Sequence, residues 1–237
     1  MKVLTTKDIR NEFIRKYREN EIRTIGNNVQ QSDTIEIQNA NFLADQNWII
    51  RQPNFEYFKR ELDWYLSQSL NVNDIPGKVP EMWKMCATKE GLINSNYGWC
   101  IYSEENGKQF EHCKKMLIKD QHTREAIMIY NRPSMQYDFC KEGMHDFMCC
   151  QNVQYFINER EGQKFVDAIV NFRSNDAVYG YCNDYLWNVY VLERLASELA
   201  DETRENIQAG YIWWNAGSLH VYARHFKFLE ALSSEAD

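Results

Sequence analysis

The chain has 237 residues, 44% of them hydrophobic and 26% charged, with a formal net charge of -7. That length can bury one sizeable core, so we predict a single domain over residues 1–237. The negative charge argues against binding of a nucleic-acid polymer, although a few arginines can still bind a small anion. Because no apolar run approaches the ~18 residues of a membrane span and "MKVLTTKDIRNEFIRKYREN" lacks a signal-peptide pattern, we expect a cytoplasmic protein that binds no membrane.

The predicted elements alternate irregularly along the chain. Apolar spacing predicts helices at 54–70, 106–120 and 185–202, and β-rich runs predict strands at 33–38, 126–131, 147–158, 165–176 and 209–226. No repeating βα unit of fixed length joins them. The order predicts an α+β domain with one twisted mixed sheet covered by helices.

Glu61 is unusual in the first of these helices. It follows Phe58 by three residues and precedes Tyr65 by four, so a helix places its carboxylate on the apolar face. One interpretation is a misjudged helical phase, with Glu61 at the rim. The other is a half-buried carboxyl group whose raised pKa suits proton transfer or the holding of a water.

The segment "NFRSNDAVYGYCNDYLW" has a second set of polar candidates. Arg173, Ser174 and Asn175 end a β-run and lead into a turn, where an arginine fork and a hydroxyl can hold a phosphate. The commoner alternative is a surface arginine with ordinary turn chemistry. Asn183 or Asp184 also fits the N-cap of the following helix, and spacing alone favours the cap.

Two further pairs lie in predicted strands. His220 and Tyr222 alternate and therefore share a face, which is more often a core pair than a site. Cys149 and Cys150 are adjacent, so strand alternation lets only one of them face a pocket and does not say which. A strand cysteine is usually a small buried hydrophobe, but a cation such as Arg173 can make it a nucleophile.

The cysteine count bears on redox state and metals. Seven cysteines, at 86, 100, 113, 140, 149, 150 and 182, include no C-x-x-C pair. An odd number without such pairs argues against a disulfide framework or a four-ligand zinc site. We therefore expect reduced thiols and no metal.

Taken in order, several segments resemble the thymidylate synthase superfamily. They are "RELDWYL", "NSNYGW", the cysteine strand ending in "VQYF", "FRSNDAVYG" and "GSLHVYARHF", and the resemblance runs roughly from Thr34 to His225. "DIPG", "INSNYGW", "IMIYNRPSMQYDF", "DFMC" and "RSND" look more like the T-even-type bacteriophage deoxycytidylate hydroxymethylases than like the methylating enzymes. The resemblance implies a thymidylate synthase fold that dimerises through its sheet.

The resemblance also implies a role for each candidate residue. The family nucleophile falls on Cys149, while Cys150 stands where thymidylate synthases commonly carry a histidine and is left to packing. Glu61 matches the carboxylate that orders water, and Tyr97 matches a tyrosine associated with proton removal at C5. The implied residues are Cys149, Glu61, Asp184 and Tyr97 for catalysis; Arg173, Ser174, Asn175, Asp184, His220, Tyr222 and Arg124 for the substrate; and Asp176 and Trp83 for the folate.

The implied reaction begins when the Cys149 thiolate adds to C6 of the pyrimidine. C5 then attacks the methylene group of 5,10-methylenetetrahydrofolate, and tetrahydrofolate leaves. In thymidylate synthase a hydride from the folate reduces the exocyclic methylene that results, whereas in a hydroxymethylase water adds to it.

Hydrogen-bond donors and acceptors differ between uracil and cytosine, and this difference predicts which base the chain selects. Uracil presents an N3 donor and an O4 acceptor, which one asparagine amide satisfies, whereas cytosine presents an N3 acceptor and an N4 donor, which a protonated carboxyl satisfies. Uracil-using members carry asparagine where this chain has Asp184. We therefore expect a homodimeric enzyme that makes 5-hydroxymethyl-dCMP from dCMP, in the host cytoplasm if phage-encoded. The alternatives are a dUMP hydroxymethylase or thymidylate synthase and, in another class, a non-catalytic nucleotide-binding scaffold.

Three departures from the family pattern affect substrate binding. The family usually supplies two consecutive arginines from the partner subunit, but here Glu125 follows Arg124. Either Glu125 points away from the phosphate or the clamp is weaker, with Arg132 or Arg23 compensating. The segment "IRTIGNNVQQSD" does not place the N-terminal phosphate arginine, and the tail after "ARHF" is expected to be short for closing over folate.

Overall fold

A computed structural model of the chain describes residues 3–27 and 30–235. Within these ranges the helices are α1 (Thr6–Arg18), α2 (Phe55–Ser67), α3 (Glu81–Cys86), α4 (Tyr97–Tyr102), α5 (Gln109–Lys119), α6 (Met135–Asp138), α7 (Gly180–Thr203) and α8 (Phe226–Glu235). The strands are β1 (Arg23–Asn27), β2 (Gln30–Leu43), β3 (Ile127–Ile129), β4 (Cys150–Arg160), β5 (Gln163–Phe172), β6 (Asn175–Asp176) and β7 (Ile207–Tyr222). No helix of the described ranges is both long and apolar enough to cross a membrane.

The strands form a mixed sheet. Their order is β1, β2, β7, β5, β4, β3, and β6 pairs with β7. β2 runs antiparallel to β7, with Glu36 opposite His220, whereas β6 runs parallel to β7. Helices interleaved with a mixed sheet are the predicted α+β class.

The residues group into two compact units. Of the described residues, the first unit contains 3–27, 30–53, 169–191 and 211–235, and the second contains 54–168 and 192–210. Phe172 stacks on Trp214 in the interior of the first unit, with ring centroids 4.9 Å apart. Trp64, Phe110 and Tyr155 are fully buried in the second. One catalytic domain over residues 1–237 stays a prediction.

Helix α2 begins where its sequence provides a cap. The Asn54 side chain accepts a hydrogen bond from the Tyr57 N–H at 3.0 Å, and the helix ends before Gln68, which adopts the left-handed conformation. Between these ends, Glu61, Trp64 and Tyr65 lie on the buried face. The helical phase predicted for Glu61 is therefore confirmed, and a position at the rim is excluded.

Helix α7 begins earlier than its sequence predicts. It starts at Gly180 rather than near residue 185, so Asn183 and Asp184 lie inside the helix. The N-cap interpretation of these two residues is therefore wrong. The parallel pairing of β6 with β7 fixes the chain at Asp176, and a three-residue turn then leads directly into the helix.

The cysteine strand begins later than predicted. Cys150 is the first residue of β4 and is 1% exposed, whereas Cys149 lies in a bend just before the strand and is half-buried. The prediction that both cysteines belong to the strand is thus wrong for Cys149. Because Cys149 lies outside the strand, strand alternation does not determine the direction of its side chain.

A close contact joins α2 to α4. Asn96 caps α4 through the Trp99 N–H at 2.8 Å and donates its side-chain amide to the Trp64 carbonyl at 3.0 Å. Two residues later, Gly98 packs against the Tyr65 carbonyl, and a Cβ added to Gly98 would lie 1.8 Å from the carbonyl oxygen. Glycine is required here because any larger side chain would overlap the backbone. The contact holds the start of α4 against the end of α2.

Candidate active site

Glu61 lies at the centre of a hydrogen-bonded cluster in the second unit. It is 4% exposed. The Tyr57 hydroxyl and the Trp83 indole N–H both donate to its Oε1, the indole at 3.0 Å, and the same N–H lies 3.1 Å from the Tyr57 oxygen. None of the residues that the structure describes donates to Oε2. One carboxyl oxygen is thus fixed by the protein and the other is left for a water or a substrate.

The environment of Glu61 changes its acidity. Burial raises the pKa of the carboxyl, the hydrogen bonds from Tyr57 and Trp83 lower it, and the effect of burial is the larger. A carboxyl with a raised pKa holds a proton at a pH where an exposed glutamate does not. Such a group can take up or release a proton during a reaction.

Replacing the buried carboxyl should stabilise the fold at neutral pH. Because the pKa of Glu61 is raised in the folded protein, its favourable contribution exists below the unfolded pKa and is lost as pH rises through the folded pKa. Glu61→Gln keeps an acceptor for Tyr57 and Trp83 but cannot ionise. We expect it to raise the free energy of unfolding by about 0.5–2 kcal/mol at pH 7.5. Urea denaturation at several pH values measures this, and a gain that did not shrink toward pH 4 would contradict the titration of Glu61.

Trp83 and Tyr97 are both held by aromatic neighbours of the second unit. Trp83 packs edge-on against Trp64, with centroids 5.2 Å apart. Tyr97 is 6% exposed and stacks on Tyr65 at 5.2 Å and an interplanar angle of 21°. The indole N–H of Trp83 is engaged by Glu61, so only its ring is available to a ligand.

The segment before Cys149 is fastened by Asp146, a buried residue that the sequence did not single out. Its Oδ2 accepts from the main-chain N–H groups of Asn94 and Ser95, each at 2.7 Å, and its Oδ1 accepts from the Ser95 hydroxyl at 2.6 Å. Three residues later, the Cys149 thiol donates weakly to the Phe147 carbonyl at 3.8 Å. Asp146 therefore ties the approach to the cysteine to the loop that precedes α4.

The first unit holds the second group of candidates, which begins where β5 ends. Arg173 is exposed and Ser174 half-buried in the two-residue break before β6. The Arg173 carbonyl accepts from the Ser218 N–H at 3.1 Å. The side-chain amide of Asn175 donates to Oδ2 of Asp184 at 2.7 Å. The sequence-predicted residues 173–176 and 184 are thus brought together in one unit.

Asp176 presents one carboxyl oxygen to solvent or a ligand. Its Oδ1 accepts from the Val178 N–H at 2.9 Å, and none of the described residues donates to Oδ2. The side chain is half-buried beside the strand that carries His220. A carboxylate oxygen in this position can accept hydrogen bonds from N–H donors of a ligand.

His220 and Tyr222 share a face of β7, as predicted, with rings 4.8 Å apart and nearly perpendicular. The Ser218 hydroxyl donates to Oε1 of Glu36, so its oxygen can only accept from Nδ1 of His220, 3.3 Å away. Burial lowers the pKa of His220, although the Asp176 carboxylate opposes the effect. The neutral ring therefore carries its proton on Nδ1 and presents Nε2 as an acceptor.

The remaining arginines have separate surroundings. Arg23 forms an ion pair with Glu36. Burial alone would raise the pKa of Glu36, but hydrogen bonds from Ser218 and Arg23 outweigh it and leave the pKa lowered. Arg132 lies over the Trp99 ring at 4.4 Å, and Arg124 is exposed just before β3.

In the parts of the chain that the structure describes, no cluster of three acidic, histidine or cysteine side chains could hold a metal ion.

Comparison with known proteins identifies the family. A family model for thymidylate synthase matches residues 23–236, and this chain belongs to the thymidylate synthase family. Its fold also matches thermostable thymidylate synthase A from Bacillus subtilis with a TM-score of 0.66, over 97% of this chain and 84% of that one, at 19% sequence identity. The predicted α+β thymidylate synthase fold is therefore confirmed. Dimerisation through the sheet stays a prediction.

Particular relatives point to one branch of the family. The chain is 51% identical over 199 residues to the deoxycytidylate 5-hydroxymethyltransferases of Enterobacteria phages T4 and T2, which covers 83% of this chain and 79% of each relative. A thymidylate synthase from Francisella philomiragia is 25% identical over 186 residues, covering 74% of this chain and 64% of the relative. The sequence identity to the phage hydroxymethyltransferases is thus about twice the identity to that thymidylate synthase.

Proposed function

We propose that this chain converts dCMP, 5,10-methylenetetrahydrofolate and water to 5-hydroxymethyl-dCMP and tetrahydrofolate. The observation that carries the proposal is the 51% identity to deoxycytidylate 5-hydroxymethyltransferase of phage T4 over 83% of the chain. The enzyme is a folate-dependent one-carbon transferase of phage type that acts in the host cytoplasm.

One group of residues carries out the chemistry of this reaction, and a second group binds the nucleotide. The Cys149 thiolate adds to C6 of the cytosine ring and makes C5 nucleophilic. Glu61 holds a water or proton through Oε2, since Tyr57 and Trp83 occupy only Oε1. Tyr97 assists removal of the C5 proton. The folate supplies the one-carbon group when bound, with Asp176 and the Trp83 ring on its side.

The first unit binds the nucleotide. Arg173 and Ser174 contact the phosphate, where an exposed guanidinium and a hydroxyl can donate to its oxygens. Nε2 of His220 accepts a hydrogen bond from the sugar 3′-hydroxyl, since Nδ1 is bonded to Ser218, and Tyr222 contacts the same hydroxyl. Arg124 completes the phosphate site of a partner subunit in a homodimer. Glu125, also exposed, need not oppose it.

Asp184→Asn should change the preferred base. An amide donates to the uracil O4 and accepts from N3–H, but it cannot satisfy the N3 and N4 groups of cytosine in that orientation. We expect the ratio of kcat/KM for dCMP over dUMP to fall by at least about a hundredfold. Steady-state assays with both nucleotides measure the ratio, and equal loss on both bases would contradict direct reading of the base by Asp184.

Mass analysis of the product tests the proposed function itself. The protein is incubated with methylenetetrahydrofolate and dCMP, dUMP or CMP. Gain of CH2O on dCMP supports the proposal, and gain of CH2 on dUMP identifies a methylating enzyme instead. No turnover on any nucleotide would indicate a binding protein that keeps the fold. Sedimentation of the same preparation measures whether it is a dimer.

A further inference from the structure

The ring of His220 belongs to a chain of hydrogen bonds that crosses from β7 to β2. Ser218 and His220 alternate along β7 and therefore share a face, and antiparallel pairing places Glu36 of β2 opposite His220. The Ser218 oxygen lies 3.3 Å from Nδ1 of His220, and its hydroxyl donates to Oε1 of Glu36. His220 is 7% exposed. The chain thus connects a buried imidazole with a carboxylate on the neighbouring strand.

The charge of Glu36 sets the direction of these hydrogen bonds. Burial alone would raise its pKa, but the hydrogen bonds from Ser218 and Arg23 outweigh burial and leave the pKa lowered. An ionised carboxylate can only accept, so the Ser218 hydroxyl gives its one proton to Glu36. The Ser218 oxygen then has only lone pairs left for His220, and Nδ1 must be the donor.

Glu36 is itself held in place by two further residues of the first unit. Arg23 forms an ion pair with Oε2, and the Gln38 amide donates to the same oxygen at 3.3 Å. The Glu36 side chain is 12% exposed. Its carboxylate therefore has fixed partners on both oxygens, and Ser218 passes this constraint on to the histidine.

The charges around His220 leave its ring neutral. Burial lowers its pKa, whereas the carboxylates of Asp176 on β6 and Glu36 on β2 oppose the effect and Arg224 adds to it. The net result is a lowered pKa. A neutral imidazole has one donor and one acceptor nitrogen, so a proton fixed on Nδ1 makes Nε2 the acceptor.

An acceptor nitrogen restricts what the site can bind. It binds a hydroxyl that donates a hydrogen bond, and it repels a fluorine, an ether oxygen or a phosphate ester, none of which has a proton to donate. We propose that Glu36 and Ser218 are positioning residues for His220, which hold its proton on Nδ1 so that the site selects a nucleotide whose sugar 3′ group is a hydroxyl. The inference rests on the proposed contact of His220 with the 3′-hydroxyl of dCMP.

The position of the ring proton can be measured without a substrate. Long-range proton–nitrogen NMR spectra of isotope-labelled protein distinguish a protonated from an unprotonated ring nitrogen, and the spectrum of His220→Gln assigns the signals. At about pH 8, where the ring is neutral, we expect the unmodified protein to carry the proton on Nδ1. Ser218→Ala removes the hydroxyl oxygen that accepts this proton, and we expect at least about half of the molecules to move it to Nε2.

The chain offers two matched controls. Gln38→Ala removes another hydrogen bond to Glu36 and leaves the Ser218 hydroxyl in place, so the His220 proton should stay on Nδ1. His225 lies in the same unit, and its Nδ1 is buried without a hydrogen-bond partner among the described residues. The His225 signals should therefore be the same in Ser218→Ala as in the unmodified protein.

The same variants test the selection of the sugar. The probe is the analogue of dCMP in which fluorine replaces the 3′-hydroxyl. We expect the unmodified protein to bind dCMP at least about tenfold more tightly than this probe, as measured by calorimetry. In Ser218→Ala the ratio of the two Kd values should fall by at least about threefold, since a proton on Nε2 removes the repulsion of fluorine. Gln38→Ala should keep the ratio.

A second variant covers the case in which Ser218→Ala does not fold. Glu36→Gln keeps the size of the carboxylate, but its amide can donate to the Ser218 oxygen, which releases the hydroxyl to donate to Nδ1. We expect the share of His220 with its proton on Nε2 to increase. A proton that stays on Nδ1 in Glu36→Gln as well as in Ser218→Ala would overturn the proposal.

Failure of the inference and failure of the proposed function give different results. A proton on Nε2 in the unmodified protein, or one that Ser218→Ala leaves on Nδ1, overturns the inference even if dCMP is converted to product. The inference is also overturned if the proton moves and the preference for the 3′-hydroxyl does not change. If no product forms from dCMP, the proposed function fails wherever the ring proton lies, and the selection of the sugar fails with it.

Discussion

Cys149→Ser is expected to abolish product formation, with a fall in kcat of at least about a thousandfold. A serine hydroxyl at this position has the size of the thiol but is far less acidic, so it cannot supply the anion that adds to C6. The half-buried bend that holds Cys149 should tolerate the replacement, and the nucleotide should still bind. The rate of product formation at saturating dCMP gives kcat, and calorimetry measures nucleotide binding in the same preparation.

Cys150→Ser is the matched control for that experiment. Cys150 is 1% exposed at the start of β4, so its serine variant should lose some stability and keep most of its turnover. The reverse result, an active Cys149→Ser and an inactive Cys150→Ser, would show that the nucleophile is Cys150 and that the match to the family assigns it one residue too early.

Gly98→Ala is expected to produce the largest loss of stability. The added Cβ would lie 1.8 Å from the Tyr65 carbonyl oxygen and 2.5 Å from its carbon, and both atoms belong to backbone that cannot rotate away. Insertion of extra atoms into a well-packed core typically costs about 1–3 kcal/mol, so a clash with fixed backbone should cost more than about 3 kcal/mol or prevent folding. Urea denaturation gives the free energy of unfolding, and the yield of folded protein reports the extreme case.

Gly107→Ala separates this clash from the ordinary cost of losing a glycine. Gly107 has φ +76° and nothing within 4 Å of an added Cβ, so its alanine variant suffers only left-handed backbone strain. We expect a loss of about 1–2 kcal/mol there. Equal losses at the two positions would mean that α2 and α4 can separate at little cost, and that Gly98 is not needed for their contact.

Much of the fold follows from local patterns. The spacing around Glu61 is sufficient to predict its burial, because α2 is long and strongly amphipathic. Tyr57, one turn earlier, is a neighbour that i, i+4 geometry allows. Trp83 comes from another helix, and no local pattern connects it with Glu61.

The errors arise where tertiary contacts override local preference. "FMCCQNVQYFIN" is β-rich throughout, yet the strand begins at Cys150, because Asp146 bonds to Asn94 and Ser95 and holds the preceding residues out of the sheet. An Asn–Asp pair before an apolar run is typical of an N-cap, but Asp184 lies inside α7. Neither outcome has a signal within a window of one helix or strand.

The hydrogen bonds from the Asn94 and Ser95 main chain to the Asp146 carboxylate, here called the Asp146 clamp, allow motion near the site to be measured without a ligand. The two main-chain N–H groups that it binds belong to residues 51 and 52 positions away in sequence. Exchange of those two amide hydrogens with deuterated solvent therefore requires the clamp to open. Their exchange rates measure how often the peptide segment leading to the reactive thiol leaves its place, in the resting protein and before any turnover begins.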